Sequence, residues 1–213
     1  MEFHRRLPHV YPPDRWLFIT FHLHGSLPHC QSPPPAKVSS GRVFVWIDRY
    51  LDRNQYGPQF LRQEALARLV MAALLGGADL GHYRLGPFVI MPNHVHVLPF
   101  PLVQPSRLLK SLKGFTARQA NRLLGRTGEP FWQKESYDRW IRGEAEWNRI
   151  TAYIEGNPVA AGLVSRVEDH PWSSAHEQWR GMVEAGVDKS VDAAREGACA
   201  TTRQRADPPS QGM

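Results

Sequence analysis

The stretch that most constrains the fold runs from Tyr83 to Pro101, YRLGPFVIMPNHVHVLPFP, where two apolar runs are interrupted at Met91-Pro92-Asn93. It reads as a strand pair, or as one bulged and kinked strand in the centre of a sheet, because a proline removes a ladder donor and forces the interruption. Residues 14–24 supply another strand. Leu17, Ile19, Phe21 and Leu23 alternate there with Trp16, Phe18, Thr20 and His22, the period of two that places alternate side chains on opposite faces. Gly57-Pro58 then opens a helix in which Phe60, Leu61, Ala65, Leu69, Ala72 and Ala73 recur at helical spacing and which Gly76-Gly77 stops. A second helix is expected from Gln104 to Gly125, capped by Ser106, with Leu108, Leu112, Phe115 and Leu123 as its buried stripe. FWQKESYDRWIR, residues 131–142, is strand-like with a basic end. Residues 144 to about 156 form a third helix around Trp147, Ile150 and Ile154, after which Pro158 restarts the chain. This order predicts an α+β fold: a ferredoxin-like βαββαβ sandwich with an antiparallel sheet, helices on one face, and an added C-terminal helix.

With 213 residues, 42% of them hydrophobic and 22% charged, the chain supports one sizeable core and not two. That core is expected within residues 14–179, preceded by an N-terminal arm at 1–13 and followed at 180–213 by a tail too poor in large apolar groups to offset its ordering entropy. Gly25 to Ala36, with prolines at 28, 33, 34 and 35, reads as a surface loop. Cys30 and Cys199 make neither a CxxC pair nor a disulfide framework, and no run approaches bilayer length. The expectation is a cytoplasmic protein with no membrane partner, a monomer or homodimer. A net charge of +6 favours polyanionic partners, nucleic acid among them.

The chemistry starts at His94-Val95-His96. On a strand, residues i and i+2 project from one face, so both imidazoles can reach one metal while Val95 and Val97 point into the core. Neutral imidazole suits several divalent metals, and phosphate chemistry uses such a cation to polarise the scissile group. His-x-His spacing is weak evidence by itself: His22-Leu23-His24 has it too and reads as solvent-facing. In TyrIleGluGlyAsnPro, residues 153–158, Tyr153 and Asn157 are four apart and share a face if the helix persists. Asn157 could donate its carbonyl oxygen to a hard cation. Equally, Gly156 and the restriction before Pro158 could end the helix, leaving Asn157 as a cap. Tyrosine is a suitable nucleophile because a phosphotyrosine bond conserves the energy needed to rejoin strands. Tyr137, near Lys134 and Arg139, is the alternative nucleophile; Glu155 faces away from Tyr153 and is not assigned as a base. Lys110, Lys113 and Arg118 lie off the buried stripe of their helix and Arg122 at its edge, either a solvated face or contacts to phosphates. Arg139 and Arg142, interleaved with Trp132, Tyr137 and Trp140, either contact unpaired bases or, for the aromatics, pack in the core.

At these residues the sequence resembles the REP-associated tyrosine transposases, relatives of the transposases of single-stranded insertion sequences, within the HUH nuclease superfamily. The resemblance rests on MPNHVHVL (91–98), the Lys110-x-x-Lys113 helix running to Asn121, FWQKESYDRWIR, YIEGNPVAAGLV (153–164) and HPWSSAHEQW (170–179), in order and at similar spacing. It implies a ferredoxin-like fold and a divalent metal, Mg2+ or Mn2+, held by His94, His96 and Asn157. It further implies Tyr153 as the nucleophile that becomes joined to a 5′-phosphate, and single-stranded or hairpin DNA from palindromic repeats as the substrate. The alternative is a DNA-hairpin-binding protein that does not cleave.

Overall fold

The structure is a computed structural model that describes residues 14–27, 47–52 and 57–183. The expected N-terminal arm, most of the Pro-rich loop and the tail beyond 183 lie outside the described residues. Four strands, β1 (Leu17–His22), β2 (Tyr83–Ile90), β3 (His94–Pro101) and β4 (Tyr137–Trp140), form one sheet in the order β2-β3-β1-β4. Every neighbouring pair is antiparallel. Helix α1 (Glu64–Asp79) joins β1 to β2, α2 (Pro105–Leu123) joins β3 to β4, and α3 (Glu144–Ala160) follows β4. That is the βαββαβ arrangement with one helix added. A short α4 (Glu177–Arg180) lies beyond it, and residues 47–52 are helical.

The expected strand pair around Met91-Pro92-Asn93 is a hairpin, closed by a hydrogen bond from Met91 N–H to the His94 carbonyl at 2.8 Å. A register shift between Leu85 and Phe88 is a bulge at Gly86-Pro87. The extra residue has a purpose: it restores the alternation, so Tyr83, Leu85, Phe88 and Ile90 all join the same core. Only glycine fits at its apex. A Cβ on Gly86 would stand 2.6 Å from the Leu98 carbonyl oxygen and 2.9 Å from both Trp16 and Trp147.

The sheet is covered on both faces. Leu17, Ile19, Phe21 and Leu23 pack with Val95 and Val97 against α1 and α2. On the reverse face Trp16, Phe18, Leu98 and Phe100 pack against Trp147, Ile150 and Ile154 of α3. The expectation of helices on one face therefore holds for α1 and α2 alone. The apolar reverse face of β1 and β3 demands its own cover, and α3 provides it.

Several helix details differ from the sequence reading. Helix α1 runs through Gly76-Gly77, and its buried side is Leu66, Ala67, Val70, Met71 and Leu74. Gly77 lets the Tyr83 ring approach: a Cβ there would meet the phenol at 2.6 Å, whose hydroxyl donates to the Leu74 carbonyl. Helix α2 starts with Pro105 at its first turn, without a side-chain cap, so Ser106 is not the cap. Its inward ridge is Leu108, Leu112, Thr116 and Ala120, leaving Phe115 and Leu123 exposed. Pro158 does not restart the chain. It lies in the last turn of α3, whose hydrogen-bond pattern loses only the bond that its nitrogen would have donated to the Ile154 carbonyl, and the helix continues to Ala160.

After α3 the chain returns along the outer edge of β2. Ile90 N–H bonds the Trp172 carbonyl, Ser174 N–H bonds the Phe88 carbonyl, and the Ser174 hydroxyl accepts from Phe88 N–H. The same hydroxyl donates to Glu155 at 2.8 Å, fastening this segment to α3.

Candidate functional site

His94 and His96 share the reverse face of β3 with Leu98 and Phe100, and both are completely buried. Their Nε2 atoms stand 3.1 Å apart. The remaining ring nitrogens are held from behind. Asn93 donates its amide to the Leu51 carbonyl, which leaves its Oδ1 to accept from His94 Nδ1–H at 2.7 Å. Thr20, directly across the ladder from His96, places Oγ1 2.7 Å from His96 Nδ1. When both Nδ1 atoms donate, both Nε2 lone pairs face each other. Outer partners of this kind are the ones that orient metal-ligating imidazoles.

Two carboxylates approach this pair of nitrogens. Asp48 Oδ1 lies 3.2 Å from His96 Nε2, and Asp52 Oδ1 lies 3.6 Å from His94 Nε2. From α3, Asn157 brings its amide nitrogen, Nδ2, to 3.5 Å from His96 Nε2. Asp48 Oδ1, Asp52 Oδ1 and Asn157 Oδ1 are buried and accept no hydrogen bond. Buried acceptors without donors are costly, at roughly 1–3 kcal/mol each, and a cation satisfies them. Asp48, His94 and His96 have ligand atoms within 4.8 Å of one another, a spacing that fits a divalent ion. Burial, and the neighbouring Asp48 second, push the Asp52 carboxyl up to about 7, partly opposed by His96 and a hydrogen bond from Asn157. Burial and His96 hold His94 well below the ordinary imidazole range, so it is neutral and available as a ligand.

Tyr153 stands at the mouth of this cluster, 37% exposed. Its ring centroid is 5.6 Å from that of His96 and 6.2 Å from that of Phe18. The structure thus brings His94, His96, Asn157 and Tyr153 together from β3 and α3. Asn157 is in the helix and not a cap, because α3 persists past it. Tyr137 lies on the same face, opposite Thr20 on β4 and 6.2 Å from Phe18.

The basic residues are more scattered. Helix α2 covers the face of the sheet opposite the histidines, so its exposed Lys110, Arg118 and Arg122 are separated from Tyr153 by the sheet. Lys113 turns inward: its amine donates to the carbonyls of Gln133 and Lys134 and to the Ser136 hydroxyl, and burial holds it down to about 8. A cleft of about 400 Å³ between α2 and β4 is lined by Lys110, Lys113 and Lys134, and also by Glu135 and Asp138. Arg139 pairs with Glu146, whereas Arg142 is exposed with its guanidinium 5.4 Å over the Trp140 ring. Trp132 is core, its indole donating to Thr116 and its ring packed edge-on to Phe21. His22 is partly buried and not solvent-facing, and burial foremost pushes it down to about 4.

Sequence reasoning missed Asp48, Asp52 and the orienting pair Thr20 and Asn93. A signal for the acids existed: in WIDRYLD, residues 46–52, two carboxylates stand four apart, the spacing of one helical face.

An antiparallel α+β sandwich with a buried His-Asp cluster beside an exposed tyrosine defines the class, and comparisons with known proteins narrow it. Residues 63–157 match the family model described as "Transposase IS200 like". The fold of the chain is similar to that of a REP-associated tyrosine transposase solved bound to a REP hairpin. That similarity has 19% identity and a TM-score of 0.54, and it covers 86% of this chain and 89% of that one. A candidate transposase from Deinococcus radiodurans has 18% identity over 74% of this chain and 98% of its own, with a TM-score of 0.38. No curated protein matches the sequence.

Proposed function

We propose that this protein is a REP-associated tyrosine transposase that cuts and rejoins single-stranded, hairpin-forming DNA, with Tyr153 as nucleophile beside a divalent metal. The observation that carries this reading is the meeting of Tyr153, His94, His96 and Asn157 at one point, supplied by two elements with no other reason to place polar groups there. The Tyr153 phenolic oxygen attacks a backbone phosphorus; the new O–P bond forms as the P–O3′ bond breaks. One proton leaves the phenol and one arrives on the departing 3′ hydroxyl. The product is a 5′-phosphotyrosine, which a DNA 3′ hydroxyl later attacks in reverse, so strands join without a separate energy source. His94, His96, Asn157 and Asp48 would hold Mg2+ or Mn2+, which when bound polarises the phosphate and neutralises its developing charge. Exposure of Tyr153 suits an incoming phosphate, and Phe18 and His96 keep its ring from swinging away. DNA hairpins are the proposed partner, in keeping with the ligand of the similar structure.

The test is incubation of the full chain with labelled hairpin DNA from the palindromes flanking its gene, with Mn2+ or with chelator, followed by denaturing electrophoresis. A metal-dependent adduct that persists through denaturation and is lost in Tyr153→Phe supports the reading. An adduct retained by Tyr153→Phe but lost in Tyr137→Phe moves the nucleophile to β4. Hairpin binding without any adduct makes the protein a non-cleaving hairpin binder.

A further inference from the structure

The pair of histidines with one oxygen ligand explains neither the second carboxylate nor the number of buried oxygens left without donors. Asp48 and Asp52 stand four residues apart on the 47–52 helical segment, and each directs Oδ1 at a different histidine, at 3.2 Å and 3.6 Å. Asp48 is 2% exposed, Asp52 side-chain exposure is 18%, and neither Oδ1 has a hydrogen-bond donor. Among the described residues no lysine or arginine pairs with either acid; two imidazoles face them. Two buried carboxylates side by side repel each other, and a single +1 partner would leave that repulsion half compensated. A divalent ion compensates both. The donors then number five: two imidazole nitrogens, two carboxylate oxygens and the buried Asn157 amide oxygen, the last once the amide that turns its nitrogen to His96 is reversed. This mixed nitrogen and oxygen set suits a cation such as Mn2+ better than the sulfur-rich sets that favour zinc.

Resting on the metal-centre reading above, we propose that Asp52 ligates the same divalent cation as Asp48, His94 and His96. The cation thereby clamps the 47–52 segment onto the sheet. The buried Leu51 side chain and the Asn93 amide bond to the Leu51 carbonyl also tie that segment down. The clamp makes the order of this segment depend on the metal, and it joins three parts of the chain, residues 48–52, β3 and α3, at one ion.

The experiment is Mn2+ titration by calorimetry on the full chain and on Asp52→Asn, Asp48→Asn and His96→Ala, with melting temperatures taken with and without Mn2+. Amide exchange of residues 47–52 is followed in parallel. The expected result is a loss of Mn2+ affinity of at least roughly 10–100-fold in Asp52→Asn, the range that even outer partners of a metal site command. Metal-free melting of that variant should be unchanged or higher, because a buried repulsion is removed. Mn2+ should slow amide exchange at 47–52 in the natural chain and not in Asp52→Asn. If Asp52→Asn binds Mn2+ like the natural chain while His96→Ala does not, the clamp is wrong and the metal centre stands. If its metal-free melting falls, Asp52 serves the fold and the clamp is also wrong. If the natural chain binds no Mn2+, both readings fall.

Discussion

Replacing Gly86 with alanine adds one methyl group, at the place where the two cores come closest. The new Cβ would stand 2.6 Å from the Leu98 carbonyl oxygen, on a strand paired on both sides, and 2.9 Å from each of two indoles. Neither indole can retreat: Trp16 and Trp147 are 2% and 3% exposed and pack edge-to-face at 4.5 Å. Overpacking generally costs about 1–3 kcal/mol, and contact with an immovable carbonyl puts Gly86→Ala at the upper end, about 3 kcal/mol. For a domain of this size that corresponds to a fall in Tm of roughly 6–12 °C. Gly156→Ala is the matched control, since a Cβ there meets nothing within 4 Å and the residue lies within α3. It should stabilise the protein by about 0.5–1 kcal/mol, the ordinary helix preference of alanine over glycine. Urea unfolding followed by far-ultraviolet circular dichroism, with melting in parallel, measures both. A Trp147→Phe background should relieve part of the Gly86→Ala cost, giving a coupling of about 1 kcal/mol or more. A Gly86→Ala protein within 0.5 kcal/mol of the natural chain would refute the claim that the bulge requires glycine.

Thr20→Val removes the hydroxyl behind His96 at nearly constant volume, and Mn2+ affinity by calorimetry should drop roughly 10–100-fold with the fold retained. Tyr153→Phe should leave the unfolding free energy within about 0.5 kcal/mol of the natural value, because Tyr153 is partly exposed, while abolishing covalent attachment to DNA. Lys113→Met leaves the Gln133 and Lys134 carbonyls without their shared donor, and urea unfolding should show a loss of about 1–3 kcal/mol. In Asp52→Asn, which lacks the carboxyl held up at about 7, acid should destabilise the metal-free protein. His22 is held down to about 4 in the fold, and burial also lowers His170 and His94, whereas the unfolded chain takes up protons near 6.5. Stability from these groups is full above about pH 6.5 and falls as the pH drops toward 4, by on the order of 3 kcal/mol for His22 alone. A urea midpoint of that variant that stays level from pH 7 to 4 in chelator contradicts this; in the natural chain the raised Asp52 carboxyl takes up its proton in the fold first and works the other way.

The strands were legible because alternation is a local signal, and Leu17 to Leu23 and Val95-x-Val97 carry it without ambiguity. Helix existence was equally plain, but the buried faces were not. In α1 the alanines 65, 72 and 73 recur at apolar spacing, yet the larger Leu66, Val70 and Leu74 with Ala67 and Met71 take the inside. In α2 the inward ridge includes Thr116, a polar residue tolerated because its hydroxyl bonds the Leu112 carbonyl and accepts from Trp132. A hydrophobicity pattern cannot see that satisfaction, so Phe115 was expected where Thr116 sits. Of the candidate site, His-x-His and the Tyr153–Asn157 pair could be read because strand and helix spacing place them. The acids at 48 and 52 come from a different element more than forty residues away, and only tertiary packing delivers them. Whether Asn157 lay within a helix or at its end depended on where α3 stops, which a Gly and a Pro left open.

The segment from Pro171 to Ala175 fills the ladder positions along β2 that another strand would otherwise take, with Val89 and Ser173 bridged directly. Remove it, and Phe88-Val89-Ile90 becomes an open strand edge whose amides and carbonyls need partners. A second molecule can supply them, edge to edge, turning two four-stranded sheets into one. A chain ending at Asp169 is therefore expected to self-associate by strand addition, seen as concentration-dependent sedimentation: residues 171–175 are what closes the β2 edge of the sheet.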